Sequence, residues 1–204
     1  MPSLILRVVR AATAAVAVAA IVVQAKTLAD AGALDMVNFL SYFTIQSNVI
    51  GIAVLGLLAV RSPGPRPRWL ESLRGAATVY LTITFVVVLL LLQNIDVGLQ
   101  LPWVDFVLHK LTPVVIVADW LLDPPSVRLT PRDALGWLVY PLVWLGYTLV
   151  RGANVAWYPY PFLDPANGGY GAVALTSVVI LAAGALVCLA YARLGNRVGR
   201  LERV

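Results

Sequence analysis

Six stretches of about 20 mostly apolar residues dominate this chain of 204 residues. An α-helix needs roughly 20 such residues to cross the hydrocarbon core of a bilayer. The stretches cover approximately residues 4–25, 39–60, 74–94, 104–122, 132–151 and 170–195. We therefore predict an all-α membrane protein, in which residues 1–204 form a single transmembrane domain of six transmembrane helices.

The composition excludes a water-soluble globular domain. Charged residues make up 12% of the chain and hydrophobic residues 60%, whereas soluble domains carry about 25% charged residues. The net charge of +5 does not indicate nucleic-acid binding, because the basic residues collect in a few connecting segments and at the C-terminus. That distribution is typical of residues that specify membrane topology. Membrane lipids, and no nucleic acid, are the expected partners, while the oligomeric state stays open.

The charge of successive connections alternates and predicts the orientation of the spans. Arginines crowd the connections 61–74 and 123–132 and the C-terminal tail. An excess of Lys and Arg marks the cytoplasmic side, so both termini are predicted to be cytoplasmic in a multi-pass protein of the cell's inner (plasma) membrane. Asp119, near the cytoplasmic end of span four, is expected to be structural and to face a loop arginine. The opposite connections contain the acidic side chains Asp30, Asp35, Asp96, Asp105 and Asp164.

The first span has a second interpretation as a cleaved signal peptide. Arg7 and Arg10 precede an apolar run that ends in Val-Gln-Ala, which resembles the order of a secretory signal. The length of the run and the five spans that follow favour a retained helix.

Polar side chains near the outer ends of spans two and four indicate a site. Such side chains are costly inside a membrane and tend to mark function. Thr44 follows the start of span two by five residues, and His109 follows the start of span four by five. At 1.5 Å per residue, both lie roughly 7–8 Å below the starts of their helices, so the hydroxyl and the imidazole share one level. Asp105, one helical turn before His109, can orient its imidazole.

His109 is the only histidine in the chain, so any nucleophile that relies on a histidine base must use it. Cys188 is some 18 residues into span six, roughly 27 Å from its outer end, and is therefore on the wrong side. A purely structural alternative is that the threonine and the histidine join two helices by a hydrogen bond. The hydroxyl candidates are Ser41, Thr44 and Ser47 on span two, followed by Thr148 and Ser177.

The last external connection, residues 151–169, contains Trp157, Tyr158 and Tyr160 between prolines. Amphipathic aromatic side chains suit the membrane–water interface, so one interpretation is an interface anchor. The other interpretation is a lid over an outward-facing site. Both remain open from the sequence.

Short motifs in spans two and four resemble a known family. Residues 42–48 read Tyr-Phe-Thr-Ile-Gln-Ser-Asn, residues 108–113 read Leu-His-Lys-Leu-Thr-Pro, and residues 118–121 read Ala-Asp-Trp-Leu. These motifs resemble the androgen-induced-gene and androgen-dependent TFPI-regulating protein family, and residues 158–164 are similar to the aromatic motif of its bacterial branch. The resemblance implies a six-span hydrolase of fatty acid esters of hydroxy fatty acids, with Thr44 as nucleophile and His109 as its partner.

The functional prediction is a membrane hydrolase that cleaves lipid esters within the outer leaflet. His109 would draw the proton from Thr44 during attack on the ester carbonyl and then protonate the leaving alcohol. The chain has no Gly-rich phosphate loop and no cysteine cluster, so neither a cofactor nor a metal is expected. The candidates for oxyanion or substrate contacts are Gln46, Asn48, Asn94, Arg151 and Tyr158.

Two other classes of function remain as alternatives. A small-solute transporter is expected to show broken helices or repeats that relate its halves, and none is convincing here. An ion channel is expected to carry more charge along a pore than Asp119 and His109 supply. A non-catalytic membrane scaffold is compatible with any sequence of this composition.

Overall fold

The computed structural model describes residues 4–62, 64–92 and 101–201. This part of the chain is helical and contains no β-strand, which confirms the all-α prediction. Two π-helical segments, Val88–Leu92 and Val107–Leu111, extend α4 and join α5 to α6. The α-helices are α1 (Leu4–Asp30), α2 (Met36–Ser41), α3 (Phe43–Val60), α4 (Arg68–Val87), α5 (Pro102–Phe106), α6 (Thr112–Leu122), α7 (Pro131–Gly136), α8 (Val139–Val155) and α9 (Gly169–Leu201).

Within the described residues, five helical segments are long and apolar enough to cross a membrane, which indicates an integral membrane protein. They coincide with five of the six stretches recognised in the sequence. The remaining stretch lies in the continuous helical run 102–122, which is less apolar because it carries Asp105, Lys110 and Asp119. The five segments are Leu4–Asp30, Phe43–Val60, Arg68–Leu92, Pro131–Val155 and Gly169–Gly199.

Helix α4 packs against α3, α6 and α9 and so lies at the centre of the bundle. Its buried residues include the consecutive Gly75, Ala76 and Ala77, and small residues of this kind let membrane helices approach closely. The indole of Trp137 occupies the space that a side chain at Gly75 would need. Helix α1 packs against α3 and buries small residues such as Ala17, so it is an integral part of the bundle.

A buried charge cluster joins α1, α4 and α6 to two connections at one end of the bundle. Asp119 accepts hydrogen bonds from Arg10 Nε at 2.5 Å and from Arg74 Nη2 at 3.1 Å. Asp119 therefore pairs with arginine as predicted, but both arginines lie in helices, α1 and α4, and not in a loop. Burial favours a raised pKa for the Asp123 carboxyl, but the neighbouring guanidinium groups hold that pKa below its usual value. The members of the charge cluster are Arg10, Arg66, Glu71, Arg74, Asp119 and Asp123.

Candidate active site

Thr44 lies in the first turn of α3, directly after a break in the helix. Tyr42 has an extended backbone between α2 and α3, with φ −65° and ψ 127°, so the apolar stretch 39–60 is not one continuous helix. A helix end leaves backbone groups without partners, and side chains satisfy them here. Trp144 Nε1, for example, donates to Ser41 O at 2.9 Å. The break changes Thr44 from a mid-helix residue into one whose amide is free to donate outside the helix.

Asp105, His109 and Thr44 form a continuous chain of hydrogen bonds. His109 Nδ1 lies 2.8 Å from Asp105 Oδ1, and His109 Nε2 lies 3.3 Å from Thr44 Oγ1. The carboxylate only accepts, so it selects the tautomer with the proton on Nδ1 and leaves the Nε2 lone pair toward the hydroxyl. His109 lies within the π-helical segment Val107–Leu111, and such segments occur frequently at functional sites.

Tyr160 reaches Thr44 from the connection between α8 and α9. Its hydroxyl lies 3.2 Å from Thr44 N, which donates to it, and 3.3 Å from Thr44 Oγ1. The Tyr160 side chain is 8% exposed, and burial raises the pKa of its phenol to about 12. The phenol therefore stays protonated and can donate a hydrogen bond. Tyr160 was absent from the predicted site residues, and the proline-rich aromatic segment around it was its signal in the sequence.

The predicted contacts from span two do not reach a substrate position. Asn48 donates its amide hydrogens to two backbone oxygens, Thr44 O at 2.9 Å and Leu108 O at 3.0 Å, so it has no donor left for an oxyanion. The half-buried Gln46 side chain is also engaged, because it donates to the backbone of α2 at 2.8 Å and accepts from the Tyr140 hydroxyl at 2.7 Å. Asn94, the predicted donor from span three, lies outside the described residues.

Arg151 and Tyr158 support the fold around the site and lie away from Thr44. Arg151 lies over the ring of Trp157, with 5.1 Å between the guanidinium carbon and the ring centroid. Tyr158 packs against Gly152, where an added side chain would overlap its ring. Two cavities reach Thr44, and neither Arg151 nor Tyr158 lines them, so the structure does not bring these two predicted substrate contacts to Thr44.

The alternative nucleophiles on span two make contacts away from His109. Ser41 Oγ lies 3.2 Å from Tyr147 OH, and Ser47 Oγ lies 3.1 Å from Thr84 Oγ1. Cys188 is fully buried in the hydrophobic core. The structure therefore brings Thr44, of these candidates, to the histidine.

A cavity of about 500 Å³, here called the larger cavity, is lined by Thr44, His109 and Tyr160. Its volume lies in the range of small-molecule sites in proteins. Both π-helical segments contribute to its wall, and Gln24 and Lys110 add polar groups to a mainly apolar lining. The larger cavity thus combines apolar volume with the reactive side chains.

A second cavity, here called the apolar cleft, also reaches Thr44 and has a volume of about 70 Å³. It lies among α3, α4, α8 and α9 and the 3₁₀ segment Pro161–Leu163. Thr44 and Tyr160 line both cavities, whereas His109 lines the larger cavity and not the apolar cleft. The apolar side chains of its wall include Ile83, Val87, Leu138, Leu145, Phe162 and Leu181.

In the part of the chain that the structure describes, no group of three or more His, Cys, Asp or Glu side chains is placed to hold a metal ion. Comparison with known proteins found no matching family model, no matching curated protein and no matching solved structure. The function is therefore inferred from the chemistry of the side chains around Thr44.

Proposed function

We propose that the protein is an integral membrane hydrolase that cleaves lipid esters, with Thr44 as the nucleophile and His109 as the general base. The observation that carries this proposal is the hydrogen-bonded chain from Asp105 through His109 to Thr44. A nucleophile, a base and a group that orients the base form the logic of the catalytic triad. The surrounding apolar helices favour a lipid substrate over a water-soluble ester.

Each proton in the proposed reaction passes through His109. Thr44 Oγ1 attacks the ester carbonyl carbon while His109 Nε2 takes its proton, and Asp105 stabilises the imidazolium that forms. His109 then gives that proton to the alcohol oxygen as the carbon–oxygen bond breaks, which leaves an acyl group on Thr44. A water molecule, deprotonated by His109, attacks the acyl carbon. Thr44 Oγ1 leaves with the proton from His109, and the carboxylic acid is released.

Tyr160 is the proposed oxyanion donor. In the resting site the Tyr160 hydroxyl contacts Thr44 Oγ1. During attack Thr44 Oγ1 loses its proton and becomes bonded to the carbonyl carbon of the ester. The Tyr160 proton can then turn to the carbonyl oxygen, where negative charge develops. A preorganised donor of this kind is usually the largest single contribution to such a reaction. The positive end of the α3 dipole acts in the same direction.

The same proposal includes the number and orientation of the membrane spans and membership of a known family. Six spans with both termini in the cytoplasm would place the site in the outer leaflet, where an ester lipid can enter from the side. The motifs at residues 42–48 and 108–113 support membership of the androgen-induced-gene family and fatty acid esters of hydroxy fatty acids as substrates. Cysteines placed at the exposed positions Ser62 and Asn167 test the topology. Labelling of intact cells by an impermeant thiol reagent at 167 and not at 62 is expected, and the reverse pattern would overturn it.

Covalent labelling of the purified protein by a fluorophosphonate probe tests the catalytic proposal. Such a probe reacts with an activated hydroxyl, so neither a transporter nor a scaffold is expected to react. Thr44→Ala is expected to abolish both labelling and ester hydrolysis, and His109→Ala to come close to this, because an unassisted threonine hydroxyl is a weak nucleophile. Thr44→Ser retains the oxygen and is expected to keep part of the activity.

Ser47→Ala is the matched control, because it removes a buried hydroxyl one turn further along the same helix. It is expected to leave probe labelling intact. Lipid-ester hydrolysis by Thr44→Ala at the wild-type rate would end the catalytic proposal. Loss of folding in both Thr44→Ala and His109→Ala, with Thr44→Ser stable but unreactive, would support the interpretation of a purely structural hydrogen bond.

A further inference from the structure

We infer that each cavity binds a different part of the ester substrate: the apolar cleft binds the acyl chain, and the larger cavity binds the alcohol. This inference rests on the proposed hydrolysis at Thr44. It defines a substrate class: an ester of an unbranched acyl chain with an alcohol that is bulkier and more polar than that chain.

The direction of proton transfer decides which half lies where. The alcohol oxygen must receive its proton from His109 Nε2, so the alcohol has to lie on the side of Thr44 that His109 occupies. His109 lines the larger cavity and not the apolar cleft. The acyl carbon is bonded to Thr44 Oγ1 and its oxygen is held by Tyr160, and these two residues line both cavities. The acyl chain therefore continues into the apolar cleft.

The size and polarity of the cavities agree with this assignment. The apolar cleft has about 70 Å³ and an almost wholly apolar wall, so it suits a narrow hydrocarbon chain and excludes rings and branches. The larger cavity has about 500 Å³ and includes Gln24 and Lys110 in its wall, so it can accept a bulkier alcohol with polar groups. A hydrophobic pocket alone discriminates weakly between chains that differ by one methylene, so we expect selection by width and not by single carbons.

The surroundings of the apolar cleft also provide a path for a long chain. Ile83, Val87 and Leu181 line it, and each is partly exposed. A chain longer than the cleft can therefore extend between α4 and α9 into the surrounding lipid. The cleft thus restricts the width of the acyl chain near the ester bond and does not restrict the length of that chain.

Two substitutions on one helix, two residues apart, test the assignment. Val87 lines the apolar cleft and not the larger cavity, and Leu89 lines the larger cavity and not the apolar cleft. With p-nitrophenyl acetate and p-nitrophenyl palmitate as substrates, Val87→Phe is expected to lower kcat/KM for palmitate relative to acetate by about tenfold or more. Leu89→Phe is expected to leave that ratio unchanged and to lower kcat/KM for the acetate of a long secondary alcohol relative to p-nitrophenyl acetate.

An unchanged palmitate-to-acetate ratio in Val87→Phe, or a ratio that falls in Leu89→Phe instead, would overturn the assignment. Leu145→Phe narrows the same cleft from α8 and provides a second variant if Val87→Phe does not fold. Fluorophosphonate labelling of each variant shows that the site is intact. A failure of the hydrolase proposal gives a different result from a failure of the cavity assignment. In that case the wild-type protein would hydrolyse none of these esters faster than the Thr44→Ala variant.

Discussion

Replacement of Tyr160 by phenylalanine isolates the contribution of one hydroxyl to the proposed reaction. The ring of Tyr160 stacks on Phe162, with 5.3 Å between centroids and 4° between planes, and phenylalanine retains this packing. The change removes the oxygen that accepts from Thr44 N at 3.2 Å and lies 3.3 Å from Thr44 Oγ1. The shape of the site is conserved, while its oxyanion donor is lost.

The expected loss has two parts. Removal of one oxyanion donor typically lowers kcat by about 10²- to 10³-fold, or roughly 2.7–4 kcal/mol of transition-state stabilisation. The Thr44 amide also loses its buried acceptor, which is expected to lower the free energy of unfolding by about 1–3 kcal/mol. Because the oxyanion contact forms during attack, the loss should be in kcat, with KM for the ester little changed.

Steady-state hydrolysis of p-nitrophenyl butyrate by the purified protein measures both constants, and a thermal melt in the same detergent measures stability. Tyr158→Phe is the matched control, because Tyr158 packs against Gly152 and does not line either cavity at Thr44. It is expected to keep kcat within about twofold of wild type, since its hydroxyl is remote from the developing charge. A wild-type kcat in a folded Tyr160→Phe protein would refute the role of this hydroxyl.

Three further predictions concern the histidine, the charge cluster and the helix packing. Asp105→Asn should lower kcat by roughly 10²-fold or more, because an amide no longer enforces the reactive tautomer of the imidazole, and a KM rise alone would contradict this. Asp119→Ala should lower the free energy of unfolding by about 3–5 kcal/mol, because it leaves buried guanidinium groups without a partner; an unchanged thermal melt would exclude a structural role for the cluster. Gly75→Ala should lower the free energy of unfolding by about 1–3 kcal/mol, because the new methyl overlaps the Trp137 indole. Gly136→Ala is the control in the same thermal melt, because its new methyl meets no neighbour.

The sequence by itself determined the class of the fold and the central pair of the candidate site. Apolar length and helical period are local properties of a chain, so the long helices could be located without knowledge of their neighbours. Asp105 and His109 are four residues apart, a spacing that brings two side chains to one face of a helix. A single histidine restricted the possible partners, and equal depth on two spans favoured Thr44 among several hydroxyls. The resemblance of residues 42–48 to a known family implied the same choice. The structure places that hydroxyl 3.3 Å from the imidazole.

Tertiary structure alone decided which other groups surround Thr44. Tyr158 and Tyr160 are chemically identical and two residues apart, yet one packs against Gly152 and the other reaches Thr44 across 116 residues of sequence. Asn48 has the right chemistry for an oxyanion donor, but its amide hydrogens are held by carbonyl oxygens that only the packed bundle brings near it. Contacts of this kind depend on how distant segments pack and on how many donors each neighbour leaves free, and neither quantity is encoded in local spacing.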